Sequence, residues 1–97
     1  MLCLRSIKSW KGMNYLDKRK LLARLLNNRK NVRYNDFVIL VEAFDFRHMR
    51  TEGSHNIYKN EAVSEIINIQ NEKGEAKPYQ IKQFLAIVEK YNLRMED

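Results

Sequence analysis

The spacing of apolar residues changes twice along this chain, and these changes constrain its fold more than any other feature of the sequence. Before Asp45 the apolar residues recur at the i, i+3, i+4, i+7 spacing of a buried helical face. After Asp45 they fall in short extended runs, and beyond Pro78 the helical spacing returns. The two stripes are Phe37, Leu40, Val41 and Phe44, and Ile81, Phe84, Leu85 and Val88. An α+β fold with a small antiparallel sheet between two helices is therefore predicted.

Local signals mark where these two helices begin. Asn35 is predicted to cap the first helix, with Tyr34 and Ile39 in apolar contact across the cap. Pro78 stands at the first position of the last helix, where a missing backbone N–H is tolerated. A polar loop over residues 71–77 is expected to precede it.

Three strands are predicted between the helices, over residues 46–50, 54–59 and 65–70. The turn between the first two is placed at Thr51, Glu52 and Gly53, because glycine supplies the positive φ that a three-residue hairpin loop needs. Ile67 and Ile69 alternate as in a half-buried strand. We expect a three-stranded antiparallel sheet with helices on one face and solvent on the other.

The chain has 97 residues, which suffices for one domain but not for two independent cores. Residues 1–15 show no period and are expected to be a loosely ordered extension, and both Met1 and Met13 are open as the start of the working protein. Residues 16–33 are predicted to form a basic amphipathic helix and a linker, and residues 34–97 the α-β-β-β-α domain. The apolar stripe of the basic helix is Leu16, Leu21, Leu22, Leu25 and Leu26.

Cysteine usage and hydropathy bear on location. The single cysteine, Cys3, has no partner for an internal disulfide, which favours a reducing compartment. No apolar run approaches the roughly 18 residues that span a bilayer, and charges interrupt the first ten positions, where a secretion signal needs an apolar core. A cytoplasmic protein is expected.

The net charge of +6 is concentrated in the first third of the chain. Residues 1–35 carry ten basic side chains and one acid, Asp17, which gives +9, whereas the other 62 residues carry eight basic and eleven acidic side chains, which gives −3. Because basic segments attract polyanions and release counterions when they neutralise phosphates, nucleic acid is the favoured partner class. A solvated arm, or one that contacts acidic proteins, fits the same charges.

The most chemically suggestive stretch is Gly53, Ser54 and His55. A histidine just after a glycine turn is held by its strand yet reachable, and an imidazole that titrates near neutral pH suits a general acid or base. If Tyr58 packs under the helices, the two-residue period turns His55 and Ile57 to the open side of the sheet. The opposite phase would bury His55, and a purely structural histidine remains the alternative.

Other arrangements for catalysis are weaker. A three-residue loop would pair Arg50 with Ser54 and bring His48 near Asn56, which makes a two-histidine acid–base pair possible. Ser54 and His55 are neighbours on one strand and point to opposite faces, so a serine nucleophile is not favoured. The sequence has neither an HExxH motif nor a glycine-rich phosphate loop, so no metal and no cofactor are expected.

Basic side chains that can contact a polyanion fall in three groups. One group flanks the predicted hairpin, one lies near the last helix, whose amino end favours anions, and one lies on the basic helix. They are Arg47, Arg50 and Lys59; Lys77 and Lys82; and Lys18, Arg19 and Lys20. Solvent-facing lysines are the alternative for the last-helix group.

Three segments, read together, resemble a known family. Glu-Ala-Phe-Asp-Phe at 42–46 precedes Gly-Ser-His-Asn-Ile-Tyr at 53–58, and Lys-Pro-Tyr-Gln-Ile-Lys-Gln-Phe-Leu follows at 77–85. A Gly-Ser-His turn with an aromatic residue three positions after the histidine, followed by a Lys-Pro-initiated helix, is similar to the HicA toxin family of type II toxin–antitoxin systems. The resemblance covers about residues 35–93.

The resemblance implies a fold similar to double-stranded-RNA-binding domains and the activity of a stress-response mRNA interferase. Such an enzyme is an endoribonuclease that cuts messenger RNA and is neutralised by a HicB-type antitoxin. The family's catalytic histidine falls on His55 and its turn glycine on Gly53, with Ser54 between them. Two other classes stay open: a non-catalytic RNA-binding module of the same fold, and a DNA-binding regulator built on residues 16–44.

Overall fold

The computed structural model describes residues 15–95 of the chain. Within them, helices α1 (Tyr15–Asn27) and α2 (Tyr34–Ala43) precede strands β1 (Arg47–Glu52), β2 (His55–Lys59), β3 (Ile66–Glu72) and β4 (Glu75–Ala76), and helix α3 (Pro78–Lys90) follows. The strands form one antiparallel sheet in the order β1-β2-β3-β4. The described part of the chain is therefore a small α+β domain with a four-stranded sheet and three helices. The predicted extension, residues 1–15, lies outside the described residues except for Tyr15. The Leu16 side chain also lies outside them.

Helix α1 confirms the predicted basic amphipathic helix. Leu21 and Leu25 are buried, and Leu22 is partly buried and packs against the same core. Leu26, by contrast, is 63% exposed, so its predicted burial is wrong. Helix α1 packs against α2, and this contact buries only part of the leucine stripe that the sequence predicts.

Helix α2 begins two residues earlier than a cap at Asn35 predicts, so that cap is wrong. Arg33 occupies the cap position with an extended backbone and makes no side-chain hydrogen bond to the helix. The Tyr34 N–H donates to the Gly74 carbonyl at 2.9 Å, and Arg33 forms an isolated bridge to β4. These contacts hold the chain extended up to Arg33, and the helix begins at the next residue, Tyr34. Tyr34 therefore lies inside the helix and not before its cap, so the predicted contact with Ile39 across a cap is wrong.

The hairpin between β1 and β2 is tighter than predicted. Glu52 pairs with His55, which leaves a two-residue loop of Gly53 and Ser54. Gly53 has a φ of +63°, the positive value that the first loop residue of a type II′ turn requires. The predicted three-residue turn and the pairing of Arg50 with Ser54 are therefore wrong.

Strand β4 replaces part of the loop predicted over residues 71–77. The chain turns after Glu72 through Lys73 and Gly74, whose φ values of +55° and +88° match a type I′ hairpin. The predicted three-stranded sheet is thus extended by one short strand. Strand β4 has only two residues. It is too short to show the alternation of apolar and polar residues by which a strand is recognised in a sequence.

The core lies between one face of the sheet and the helices. At its centre the Phe84 ring is edge-on to three other phenylalanine rings, with centroid distances of 5.5, 5.5 and 5.8 Å. Those rings belong to Phe37, Phe44 and Phe46. The predicted stripe of α2 is confirmed in full, whereas in α3 Leu85 and Val88 are only half-buried and Ile87 is buried in the core.

The sheet therefore has two unlike faces. Tyr58, Ile67 and Ile69 belong to the core, so their side of the sheet, which the helices cover, is called the covered face. Alternate residues of the same strands point away from the helices and form the open face. The predicted division of the sheet into a packed and an open side is confirmed.

Candidate functional site

Nine side chains from the three longer strands share the open face. The two-residue period of β2 assigns three of them, because Tyr58 in the same strand belongs to the core. Directly opposed residues of antiparallel strands share a face, so the register assigns three more from each neighbouring strand. This open-face grid consists of Glu52, Arg50 and Arg47 on β1, His55, Ile57 and Lys59 on β2, and Gln70, Asn68 and Ile66 on β3.

A bulge in β1 brings Arg50 into the grid. His48 and Arg50 pair with successive residues of β2, so Met49 is an extra, unpaired residue. Without the bulge, strict alternation from Arg47 would place Met49 instead of Arg50 on the open face. The bulge therefore gives the grid two arginines from one strand.

His55 lies on central strand β2 and is half-buried. Its Nδ1–H donates a hydrogen bond to Asn68 Oδ1 at 2.9 Å. Because an amide oxygen can only accept, this contact puts the proton of the neutral ring on Nδ1. Nε2 has no hydrogen-bond partner among residues 15–95, so it is the nitrogen available to a ligand. The predicted phase, with His55 on the open side, is confirmed.

A charged pair stands beside His55. Glu52 lies directly opposite His55 in the register, and Arg50 Nε donates to Glu52 Oε2 at 2.5 Å. This hydrogen bond, together with the positive charge of Arg50, holds the pKa of the Glu52 carboxyl below its ordinary value, and His55 adds a smaller effect in the same direction. Glu52 is therefore a carboxylate at neutral pH.

The turn before His55 is tied to the rest of the fold. Gln70 Nε2 donates to Ser54 Oγ at 2.9 Å, and the Gln70 backbone N–H donates to Gln80 Oε1 at 2.8 Å. Gln80 is 2% exposed and belongs to α3. The loop of Gly53 and Ser54 is thus linked through β3 to a buried side chain of the last helix, which limits how far His55 can move.

The far end of the grid is basic and partly apolar. Arg47 and Lys59 are opposed in the register, and both are exposed. Ile66, opposite Lys59 on β3, is 52% exposed, whereas Ile57 at the centre of the grid is only 4% exposed and lies outside the main core cluster. A ligand on this face would meet positive charge from β1 and from Lys59 next to a buried apolar centre.

His48 does not share a site with His55. Its Nε2–H donates to Thr51 Oγ1 at 3.0 Å, and the Thr51 hydroxyl donates to Asn56 Oδ1 at 2.8 Å. Asn56 Nδ2 in turn donates to the Tyr34 hydroxyl at 2.7 Å. This series of hydrogen bonds runs on the covered face, from edge strand β1 to helix α2. The two-histidine pair is therefore wrong, because the bulge and the shorter loop put His48 and His55 on opposite faces.

Of the eight predicted basic candidates, the open-face grid contains three, Arg47, Arg50 and Lys59. Lys77 is half-buried, with Nζ at 3.3 Å from Glu72 Oε1. The remaining four lie on helices: Lys82 on α3, and Lys18, Arg19 and Lys20 on α1. They belong to the helical layer, away from His55.

Five grid residues are absent from the predicted site: Glu52, Ile57, Gln70, Asn68 and Ile66. Asn68 stands between Ile67 and Ile69, so their alternation already indicates that its side chain faces the open side. Its contact with His55 depends on the register of β2 against β3, for which the sequence carries no signal. Glu52 was assigned to the turn and reaches the site because the loop is one residue shorter.

Among residues 15–95, no group of three or more His, Cys, Asp or Glu side chains is arranged to hold a metal ion. None of the helices described has the length and apolar character needed to cross a bilayer. Comparison of the chain with protein-family models, with curated proteins and with solved structures found no match. Function is therefore inferred from the residues of the open-face grid and from the motif resemblance.

Proposed function

We propose that the chain is a HicA-like endoribonuclease that cuts messenger RNA on its open face. The observation that carries the proposal is His55, whose Nδ1–H is bound to Asn68 while Nε2 has no hydrogen-bond partner among residues 15–95 and faces the open side of the sheet. The Gly-Ser-His motif supports it, since the family's catalytic histidine falls on this residue. The order α2-β1-β2-β3-β4-α3 supports an arrangement like that of double-stranded-RNA-binding domains, with the two-residue β4 as an addition.

In the proposed reaction the RNA 2′-oxygen forms a bond to the adjacent phosphorus, and the bond from phosphorus to the 5′-oxygen breaks. His55 moves one proton through Nε2, either from the attacking 2′-hydroxyl or to the leaving 5′-oxygen, and water takes up or supplies the other proton. Arg50 supplies positive charge to the phosphorane oxygens, and Lys59, further along β2, contacts a neighbouring phosphate. The products are a 2′,3′-cyclic phosphate and a 5′-hydroxyl, and no metal ion takes part.

A HicB-type antitoxin is the proposed inhibitor. To block His55 sterically, it would cover the open-face grid, where both basic and apolar side chains are accessible. Binding should then protect His55 from modification by an imidazole-directed reagent, with His48 as the internal reference. A complex that inhibits cleavage but leaves His55 as reactive as in the free protein would contradict steric inhibition.

A non-catalytic RNA-binding module is the second candidate. It is favoured by the five predicted basic residues that lie away from His55, because they can contact phosphates without serving cleavage. Under this alternative the chain binds RNA and the strand histidine has only a structural role.

The test is cleavage of a labelled single-stranded RNA in excess EDTA by the wild type, by His55→Ala and by His48→Ala. The second variant is a matched control, since it removes the other of the chain's two histidines from the opposite face. We expect cyclic-phosphate ends from the wild type and His48→Ala, and none from His55→Ala. RNA binding by all three proteins without cleavage would instead support the binding module.

A further inference from the structure

We propose that Asn68 is a positioning residue that fixes the tautomer and ring orientation of His55; its catalytic consequence rests on the proposed function. Asn68 Oδ1 lies 2.9 Å from His55 Nδ1, in a direct contact between strands β2 and β3. Within residues 15–95 this is the hydrogen bond that orients the imidazole. The chain thus pairs its reactive-histidine candidate with an amide from the neighbouring strand.

The backbone around Asn68 is held rigidly. Its neighbours Ile67 and Ile69 are 2% and 0% exposed and pack in the core on the covered face. Because side chains alternate along a strand, burial of these two isoleucines fixes the direction in which Asn68 points. The acceptor for the His55 ring is therefore placed by the hydrophobic core.

The contact has a chemical consequence. A neutral imidazole carries its proton on either ring nitrogen, and the hydrogen bond made by one nitrogen decides the state of the other. With an amide oxygen at Nδ1, the proton stays on Nδ1 and Nε2 keeps its lone pair. This state is suited to taking a proton at Nε2, and after protonation the same nitrogen can return it.

A second amide on the same strand gives a matched control. Gln70 lies directly opposite His55 in the register, but its side chain donates to Ser54 Oγ and not to the imidazole. Asn68→Leu and Gln70→Met each remove an amide from the same strand and the same face. Asn68→Asp keeps an oxygen acceptor in place of the amide and serves as the conservative variant.

The deciding readout is the ¹⁵N spectrum of the ring nitrogens, recorded at a pH at which the histidines are neutral. His48→Ala identifies the His55 signals, because the chain has only these two histidines. We expect the Nδ1–H tautomer in the wild type, in Asn68→Asp and in Gln70→Met, and a mixture of tautomers in Asn68→Leu. A wild-type proton on Nε2, or an unchanged tautomer in Asn68→Leu, would overturn the proposal.

Cleavage kinetics give the functional arm. Asn68→Leu should lower kcat roughly 10- to 100-fold with little change in KM, by analogy with the loss of a partner that orients a metal-bound histidine, and Asn68→Asp should recover most of the rate. If the wild type cleaves RNA, equal cleavage by Asn68→Leu would overturn the positioning role. If the wild type cuts no RNA but the tautomer shifts in Asn68→Leu as expected, the proposed function has failed. The role of Asn68 in fixing the tautomer of His55 is then still supported.

Discussion

The two faces of the sheet are built from alternate residues of the same strands, yet they differ in almost every physical property. On the covered face, Tyr58, Ile67 and Ile69 are nearly inaccessible and pack against a cluster of phenylalanines. On the open face, polar side chains surround His55 and form hydrogen bonds with one another. Because the strand period is two, the core can hold the backbone of the site without contributing a side chain to it.

This difference shows where a substitution should act. Changes on the covered face remove buried apolar area and lower the free energy of unfolding, which is only about 5–15 kcal/mol for a domain of this kind. Changes on the open face remove hydrogen bonds and charges that water can replace, so their main effect should fall on ligand binding and chemistry.

The largest effect on stability is expected from Phe84→Ala. Phe84 is fully buried and in contact with three aromatic rings, so its loss should lower the free energy of unfolding by about 3–5 kcal/mol. Urea denaturation measures the change. Gln83→Ala, at an exposed position on the same helix, is the control and should change stability by about 0.5 kcal/mol or less. Equal losses in both variants would mean that the core is not centred on Phe84.

A smaller loss is expected from Asn60→Ala. Asn60 is 5% exposed; its Nδ2 donates to the Phe44 carbonyl and its Oδ1 accepts from the Ala62 N–H, both at 2.8 Å. Alanine leaves these backbone groups unpaired, which should cost about 1–3 kcal/mol of unfolding free energy. The exposed Asn35 is the comparison, and Asn35→Ala should not destabilise the protein. A neutral Asn60→Ala would show that water reaches this turn.

Ionisation of Tyr58 provides a test by pH. Burial raises the pKa of Tyr58 to about 12, and Tyr34 and Glu42 add to the rise. Since its pKa is near 10 in the unfolded chain, the unfolded chain loses this proton first as pH increases. The contribution of Tyr58 to stability should therefore be complete below about pH 10 and decline between about pH 10 and 12. Denaturation of the wild type and Tyr58→Phe across this range should differ in slope, and parallel curves would contradict burial of the hydroxyl.

On the open face, Lys59→Gln should leave stability nearly unchanged and weaken RNA binding. If Lys59 neutralises one phosphate of a single strand, its loss should reduce the slope of log K against log salt by about 0.7. Fluorescence anisotropy at several salt concentrations measures this slope. Arg94→Gln removes the same charge from the exposed segment after α3 and should leave the slope unchanged. The reverse pattern would move the RNA-binding surface away from the grid.

The covered face could be predicted from the sequence much better than the open one. The stripe of Phe37, Leu40, Val41 and Phe44 was recognisable because helical periodicity is local, and the alternation of Ile67 and Ile69 likewise indicated a half-buried strand. These signals were enough for the α+β fold and for the open side of β2. The hydrophobic pattern thus carried the architecture.

The arrangement around His55 depended on two events that the pattern does not encode. The two-residue loop at Gly53 placed Glu52 opposite His55, and the bulge at Met49 moved Arg50 to the open face. A change of one residue in either place exchanges the two faces of a strand. His55 could therefore be selected as a candidate from its motif, whereas its partner Asn68 became apparent only from the register of β2 against β3.

The central claim is that His55 serves chemistry while the opposite face of its strand serves stability, and one variant tests it directly. On the same preparation of His55→Ala, RNA cleavage and the free energy of unfolding should be measured together. We predict a loss of cleavage of about 100-fold or more, the share of a general acid or base, with stability within about 1 kcal/mol of the wild type. Wild-type cleavage by a fully folded His55→Ala protein would contradict the claim.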